Sequence, residues 1–371
     1  MAPADERPVA AIFRAPLFNA SETFVQTHIL ALRRYRALVV GLEDKGHAAP
    51  ELRERLIVAR HPLRLKLWGD ASELAGRLRP ERPALVHAHF GPDGVLALPI
   101  ARALGVPLVT TLHGHELGRS RGAMLRSGRL SWMRYALGRK RLQREGALFV
   151  AVSDAIRRAA LAQGFPEART VTLRNGVDLA RFLPGTPERG LILHVGRLVE
   201  KKGTALLLSA FEKVAARHHG ARLVVIGDGP LRFRLQARAG PSVAFTGALP
   251  PHEVADWLGR ASLLAAPSLA APDGDVEGLP TIVLEAAASG VPAVVSDHSG
   301  LPEAVADGET GLVVPEGDAD ALAAALDRLL IDTALRERMG AAARRRSEAE
   351  FDAAKQAAAL ESLYDRVVAG S

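Results

Sequence analysis

Residues 277–285, Glu-Gly-Leu-Pro-Thr-Ile-Val-Leu-Glu, place one carboxylate just ahead of a predicted helix and another inside it. The preceding run 261–267 (ASLLAAP) reads as a short buried strand, and Asp273, Gly274, Asp275 and Gly278 read as loop. Pro280 suits the first helical position, where its missing N–H breaks no helical bond. The pattern predicts a helix over 280–289, with Gly290 just past its end. Gly278 lets the backbone approach a ligand closely. Gly278, Leu279, Pro280 and Thr281 then form a helix entry whose N–H groups and positive dipole end attract an anion such as a diphosphate. Glu285, further along the helix, can accept hydrogen bonds from a ribose, and Glu277 can do the same for a sugar attached to the diphosphate. These residue types in this order outline a nucleotide-sugar site. Taken alone, the stretch is more simply a loop-to-helix junction with solvated acids.

A second constellation changes that balance. Residues 196–203, Gly-Arg-Leu-Val-Glu-Lys-Lys-Gly, follow the apolar run 191–195 and precede an apolar-periodic helix over 204–216. A basic loop is thereby set at the carboxyl end of a strand, where open α/β sheets bind ligands. From beside Gly196, Arg197 with its forked donors and Lys202 as a point charge can reach one diphosphate. The pair of motifs resembles the signature of retaining GT-B glycosyltransferases of the family 4 type. Supporting motifs occur in the expected order: His-Ala-His-Phe-Gly at 87–91, Thr-Leu-His-Gly-His-Glu at 111–116, Val-Ser-Asp at 152–154, Asn-Gly-Val-Asp at 175–178 and Gly-Asp-Gly-Pro at 227–230.

The resemblance implies an α/β, GT-B fold, two Rossmann-like parallel-sheet domains facing across a cleft, the donor held by the second and the acceptor by the first. The implied reaction moves a hexosyl group, with retention, from a nucleoside diphosphate sugar (UDP- ahead of GDP-) to a saccharide hydroxyl. No cofactor and no metal are implied; the nucleotide sugar is the co-substrate. Arg197 and Lys202 would neutralise the departing diphosphate, Glu277 would orient the donor sugar and Glu285 the ribose. His113, at the end of the predicted strand 107–112, would position the sugar or support an oxocarbenium-like centre. The resemblance also implies same-face attack assisted by the leaving phosphate.

The first half carries further features. His87 and His89 alternate along one strand and share a face, with no third ligand spaced to hold a metal beside them. His115 and Glu116 have weaker claims than His113. Asn19-Ala20-Ser21-Glu22-Thr23-Phe24 follows the first predicted strand, and Ser21 is the expected N-cap of the next helix. Many family members have a Gly-Gly loop here. This chain has Arg14, Ala15, Pro16 and Asn19 instead, so backbone donor contacts are not carried over. Ser21-Glu22-Thr23-Phe24 and 273–278 resemble the branch that builds exopolysaccharide repeat units of the colanic-acid type, which places Ser21, Glu22 and Thr23 on the acceptor side. Asp273-Gly274-Asp275 looks like a metal-binding pair, but its place before Glu277 makes it a donor-side loop. Residues 119–144 hold nine basic residues and no acid, interleaved with Leu, Trp, Met and Tyr. That composition suits a solvated basic face or an anionic membrane surface. The resemblance favours the membrane, through Arg134, Arg139, Lys140 and Arg141, because acceptors of this branch are lipid-linked saccharides. No nucleic-acid recognition module is evident.

The elements that must position these residues read as two α/β halves. At 371 residues, with 48% hydrophobic residues, the chain is long enough for two cores. Apolar runs predict strands near 9–13, 37–42, 56–59, 85–89, 107–112, 148–152 and 170–173, then near 191–195, 222–226, 243–245, 262–266, 293–295 and 312–314. Strands alternating with helical patterns imply parallel sheets. The turn-rich segment 182–187 is the natural linker. The expected domains are 1–182 and 188–350, with a helix over 351–371 that the resemblance takes back to the first. Cysteine is absent, the formal net charge is +7, and no apolar run approaches the length of a membrane span. The polar start MAPADERP is unlike a secretory signal. The expected location is cytoplasmic, peripheral at the inner face of the membrane. A sugar-nucleotide 2-epimerase of related architecture and a non-catalytic GT-B binding subunit are the alternatives.

Overall fold

A computed structural model describes residues 5–19, 22–271 and 274–370. The chain divides into two compact units, one formed by 1–176 with 353–371 and the other by 177–352. The segment 182–187 lies within the second.

The first unit is built on the strands β1 (Val9–Phe13), β3 (Arg36–Gly41), β5 (Leu56–Val58), β6 (Pro83–His89), β7 (Leu108–Leu112), β8 (Leu148–Ala151) and β9 (Thr170–Thr172), with the two-residue strands β2 (Pro16–Leu17) and β4 (Glu43–Asp44) paired separately. The large sheet has the order β5-β3-β1-β6-β7-β8-β9 and every pair is parallel. Strands β1, β7 and β8 are buried along their whole length, as the continuous apolar runs require of strands covered on both faces. The helix Ala353–Ala369 packs Leu360, Leu363 and Tyr364 into the same core as Ile12 and Val39. Its Glu361, 2% exposed, accepts hydrogen bonds from the backbone N–H groups of Arg33, Arg34 and Tyr35 at 2.8, 2.6 and 3.0 Å.

The second unit repeats the plan with β10 (Leu191–Val195), β11 (Arg222–Ile226), β12 (Val243–Gly247), β13 (Leu263–Ala266), β14 (Ala293–Ser296) and β15 (Gly311–Val314). Its sheet, β12-β11-β10-β13-β14-β15, is also parallel throughout. Ile192, Leu223, Leu263 and Val294 from the sheet close on Leu207 and Phe211 of one helix and Leu322 and Leu326 of another. Both units are Rossmann-like.

The predicted strands are all present, with small shifts at their ends. Two local expectations change. The helix after β13 is Thr281–Ala288, so Pro280 is its N-cap rather than its first residue, and Gly290 follows in the left-handed region at φ 69°. The helix after β2 is Thr23–Ala31 with Glu22 at the N-cap position and no side-chain cap. Ser21, expected to cap it, lies outside the described residues, as does Asp273.

Candidate active site

In the second unit the two predicted motifs converge. The loop leaving β10 turns through Gly196 and Arg197 into a single 3-10 turn, Glu200–Lys202, and then into the helix Thr204–Arg217. Two glycines make this turn possible. Gly203 sits at φ 63° with the space for a Cβ already filled by the Pro267 carbonyl, and Gly227 at φ 140° lies against the Gly196 carbonyl. A side chain at either site would clash as well as strain the backbone. The Gly-Asp-Gly-Pro motif therefore serves the basic loop, and the Leu198 N–H donates to the Asp228 carbonyl at 2.9 Å.

Lys202 stretches across Gly196 and places Nζ 2.8 Å from Glu277 Oε1. Lys201 pairs with Asp275 at 3.0 Å and stands 4.0 Å from Glu277. Glu277 is buried; burial pushes its carboxyl up, but the Lys202 and Lys201 cations outweigh that and hold it below the usual range. Arg197 is exposed and makes no ion pair among the described residues. Gly278, Leu279 and Pro280 are buried at the helix entry, with Thr281 half-buried. Glu285 is half-buried on that helix, and burial raises its carboxyl to about 7 against a smaller opposing pull from Arg181. The arrangement offers two ammonium groups, an exposed guanidinium, a helix N-terminus and an ionised carboxylate, which suit a diphosphate and a polyhydroxyl group held together.

In the first unit His113 lies just past β7, half-buried between the rings of Phe24 and Phe90 at centroid distances of 5.0 and 4.3 Å. Its Nε2 is 3.1 Å from His89 Nδ1. Burial depresses the His113 imidazole to about 3, so the ring is neutral at neutral pH. Glu116 is buried and holds the turn together, accepting from the N–H groups of His113 and Gly91 at 3.0 and 3.2 Å and lying 3.2 Å from His115 Nδ1. His87 bonds Tyr364 and Thr111 at 2.5 and 2.7 Å and belongs to the core.

The loop after β1 holds an ion triad. Arg14 forks onto Glu22 at 3.0 and 2.6 Å and reaches Asp93 at 2.6 Å, while its guanidinium covers the Phe90 ring at 4.5 Å. Glu22 also accepts from the Asn19 side chain at 2.7 Å. Glu22 is thus held by Arg14 and Asn19; Thr23 begins the helix and is half-buried. Phe90 adopts φ 72° and ψ 143°, a region nearly reserved for glycine. Asp93 and Lys201 did not stand out in the sequence, nor did the pairing of Arg14 with Asp93; ion pairs joining distant positions leave no local pattern.

The basic segment forms the helices Arg121–Arg126 and Leu130–Glu145. Arg134 donates to the Leu65 carbonyl at 2.7 Å, Arg139 bonds Gln163, and Arg141 pairs with Glu145 at 3.2 Å, leaving Lys140 at the surface. Leu130, Met133 and Leu137 are exposed on the second helix. Leu63, Leu67 and Trp68 are exposed around the short π-helical segment Arg64–Trp68 that Arg134 ties to it, Trp68 at 74%. No helix among the described residues is long and apolar enough to cross a membrane.

The family model for "Glycosyltransferase Family 4" matches residues 22–181 and that for "Glycosyl transferases group 1" matches 181–346. A GDP-mannose-dependent alpha-(1-6)-phosphatidylinositol monomannoside mannosyltransferase of Mycolicibacterium smegmatis is 32% identical over 86% of this chain and 86% of its own length. The chain belongs to the family 4 glycosyltransferases. An amylovoran biosynthesis glycosyltransferase of Erwinia amylovora is 30% identical over 93% of this chain and 88% of its own. A proposed colanic acid biosynthesis glycosyltransferase of Salmonella typhimurium is 36% identical over 64% of this chain, an alignment that spans 59% of that protein. Among solved structures, Anabaena HepE in complex with UDP and glucose superposes with a TM-score of 0.77 at 18% identity, covering 97% of this chain and all of that one. The fold is GT-B.

Proposed function

We propose that the chain transfers a hexosyl group from a nucleoside diphosphate sugar to a lipid-linked saccharide of exopolysaccharide or related glycan synthesis, with retention of configuration. The observation that carries this reading is the buried Lys202–Glu277 pair, set at a strand end ahead of the helix Thr281–Ala288. Lys202 and Arg197 take up the negative charge that develops on the departing diphosphate, and helix N–H groups share it. Stabilising charge that grows in the transition state is the largest lever such a site has. Glu277, ionised and aimed by two lysines, accepts hydrogen bonds from sugar hydroxyls. Glu285 accepts from the ribose. Neutral His113 offers a hydrogen bond to the sugar without adding positive charge beside an oxocarbenium-like centre. The attacking hydroxyl passes its proton to the leaving phosphate on the same face.

The base of the nucleotide is open between UDP, as in the Anabaena complex, and GDP, as in the mycobacterial relative. The lysines support a metal-independent reaction: Asp275 and Glu277 already face ammonium groups at 3.0 and 2.8 Å, which a divalent cation would have to displace. The test is a screen of UDP- and GDP-sugars for nucleotide release, with and without a membrane lipid extract. One donor should be hydrolysed slowly alone and turned over faster with extract, and excess EDTA should leave both rates intact. No release from any donor would defeat the proposal. Release of free nucleotide with a 2-epimerised sugar and no acceptor dependence would favour the epimerase, and loss of rate with EDTA restored by Mn²⁺ would return a metal to the site.

A further inference from the structure

The carboxyl ends of β13, β14 and β15, adjacent in the second sheet, send out three loops that are tied to one another. Ser296 donates to the Ser268 carbonyl, the Ala270 N–H donates to Glu316 Oε1 at 2.6 Å, and Ser299 Oγ donates to the Glu277 carbonyl at 2.6 Å. Ser299 reaches that carbonyl from φ 51°, a left-handed conformation that a serine adopts only when its surroundings hold it there. Between these loops stands His298, 6% exposed. Its Nδ1 is 2.8 Å from Glu316 Oε2, while its Nε2 is buried with no hydrogen-bond partner among the described residues. Burial raises the Glu316 carboxyl, but the Ala270 N–H and His298 more than offset this and keep it ionised, so it can only accept. The proton of a neutral His298 therefore sits on Nδ1, and Nε2 presents a bare lone pair. The loop that carries His298 is tied beside Glu277 by the next residue, Ser299, through its bond to the Glu277 carbonyl. An unmet buried acceptor is costly unless something meets it.

We propose that His298 is a specificity-determining ligand of the donor sugar: its Nε2 accepts a hydrogen bond from a hydroxyl of the hexosyl group held by Glu277, and Glu316 is the positioning residue that fixes the tautomer. This rests on the donor-site reading above, and it adds a sugar contact that neither motif contains.

The test separates sugar from nucleotide. Calorimetric affinities of the full chain are measured for UDP, UDP-glucose, GDP and GDP-mannose, and for deoxy analogues of whichever sugar nucleotide binds. His298→Asn keeps a donor toward Glu316 but removes the Nε2 acceptor, whereas His298→Gln can place a carbonyl near the lost atom. Roughly 10-fold weaker binding of the sugar nucleotide is expected in His298→Asn, the worth of one hydrogen bond, with the nucleoside diphosphate bound as in the parent. Partial recovery is expected in His298→Gln. Glu316→Gln should lose sugar discrimination in the same way. One deoxy analogue should bind parent and His298→Asn equally and so identify the hydroxyl. Unchanged sugar-nucleotide affinity in His298→Asn overturns the proposal, as does an equal loss for nucleotide and sugar nucleotide, which would make His298 only a brace. Failure of the parent to bind any nucleoside diphosphate would overturn the donor-site reading itself and this proposal with it.

Discussion

In the proposed reaction Glu277 does two things: it holds Lys202 before the donor arrives and sugar hydroxyls afterwards. Glu277→Ala, Arg197→Ala and Lys202→Ala should each lower turnover ~10²–10³-fold, the usual effect of losing one preorganised electrostatic contact, while circular dichroism stays native. Parental turnover in all three would remove the site from consideration. Glu285 makes a pH prediction of definite sign. Its carboxyl is raised to about 7, so below that pH it is protonated and has one acceptor fewer for the proposed ribose contact. Nucleotide affinity should tighten as pH rises through about 7, and Glu285→Gln should bind weakly with no such dependence. The same shift opposes folding: the unfolded carboxyl ionises first, so stability falls as pH rises from the ordinary carboxylate range toward about 7. Glu285→Gln should abolish that fall in thermal melts at pH 5 and 8, and a parallel decline in parent and variant would contradict the assignment.

At the scale of elements, strands buried on both faces were legible because such burial demands uninterrupted apolar runs, as in 191–195 and 222–226. The donor helix was legible too, to within the one-residue shift that made Pro280 a cap. The pairings between distant residues were not. Arg14 with Asp93, Lys201 with Asp275 and His298 with Glu316 are fixed by which strand ends lie side by side, and no local spacing encodes sheet order. Glu361 shows the same limit: within its own helix it looks like a solvated acid, yet it is 2% exposed and accepts three backbone N–H groups. Hydrogen bonds to an ionised group contribute about 1.5–3 kcal/mol each, and part of that is recovered when water enters a vacated site. Glu361→Ala should therefore lower the stability of the first unit by about 2–4 kcal/mol in urea titrations, with Glu361→Gln milder. An effect under about 0.5 kcal/mol, the usual range for surface changes, would show that the helix Ala353–Ala369 is held by its apolar face alone.

At the scale of the molecule, a net charge of +7 gives attraction to anionic surfaces but no address. We propose that the address is supplied by the exposed apolar residues Trp68, Leu67 and Leu63, with Leu137, Leu130 and Met133 on the basic helix. Single exposed leucines are ordinary, but six large exposed apolar residues on two segments joined by the Arg134–Leu65 hydrogen bond fit an interface that is apolar within and anionic at its edge. The cations are unequal. Arg134 and Arg139 hold neighbouring segments through Leu65 and Gln163, so replacing them would disturb the fold, whereas Lys140 and Arg141 lie at the surface. Each surface cation contributes about 1 kcal/mol near anionic lipid, and the attraction decays over ~8 Å at physiological salt. The protein should co-sediment with vesicles containing phosphatidylserine, poorly with phosphatidylcholine alone, and less as salt rises. Lys140→Gln with Arg141→Gln should weaken binding and steepen its loss with salt. Trp68→Ser with Leu137→Ser should weaken it at every salt concentration, because burial of apolar surface is not screened. Both pairs should slow transfer to a lipid-linked acceptor and leave donor hydrolysis in solution near the parental rate. If the Trp68/Leu137 variant binds vesicles as the parent does, the exposed cluster does not enter the bilayer, and the acceptor must be recruited through another surface.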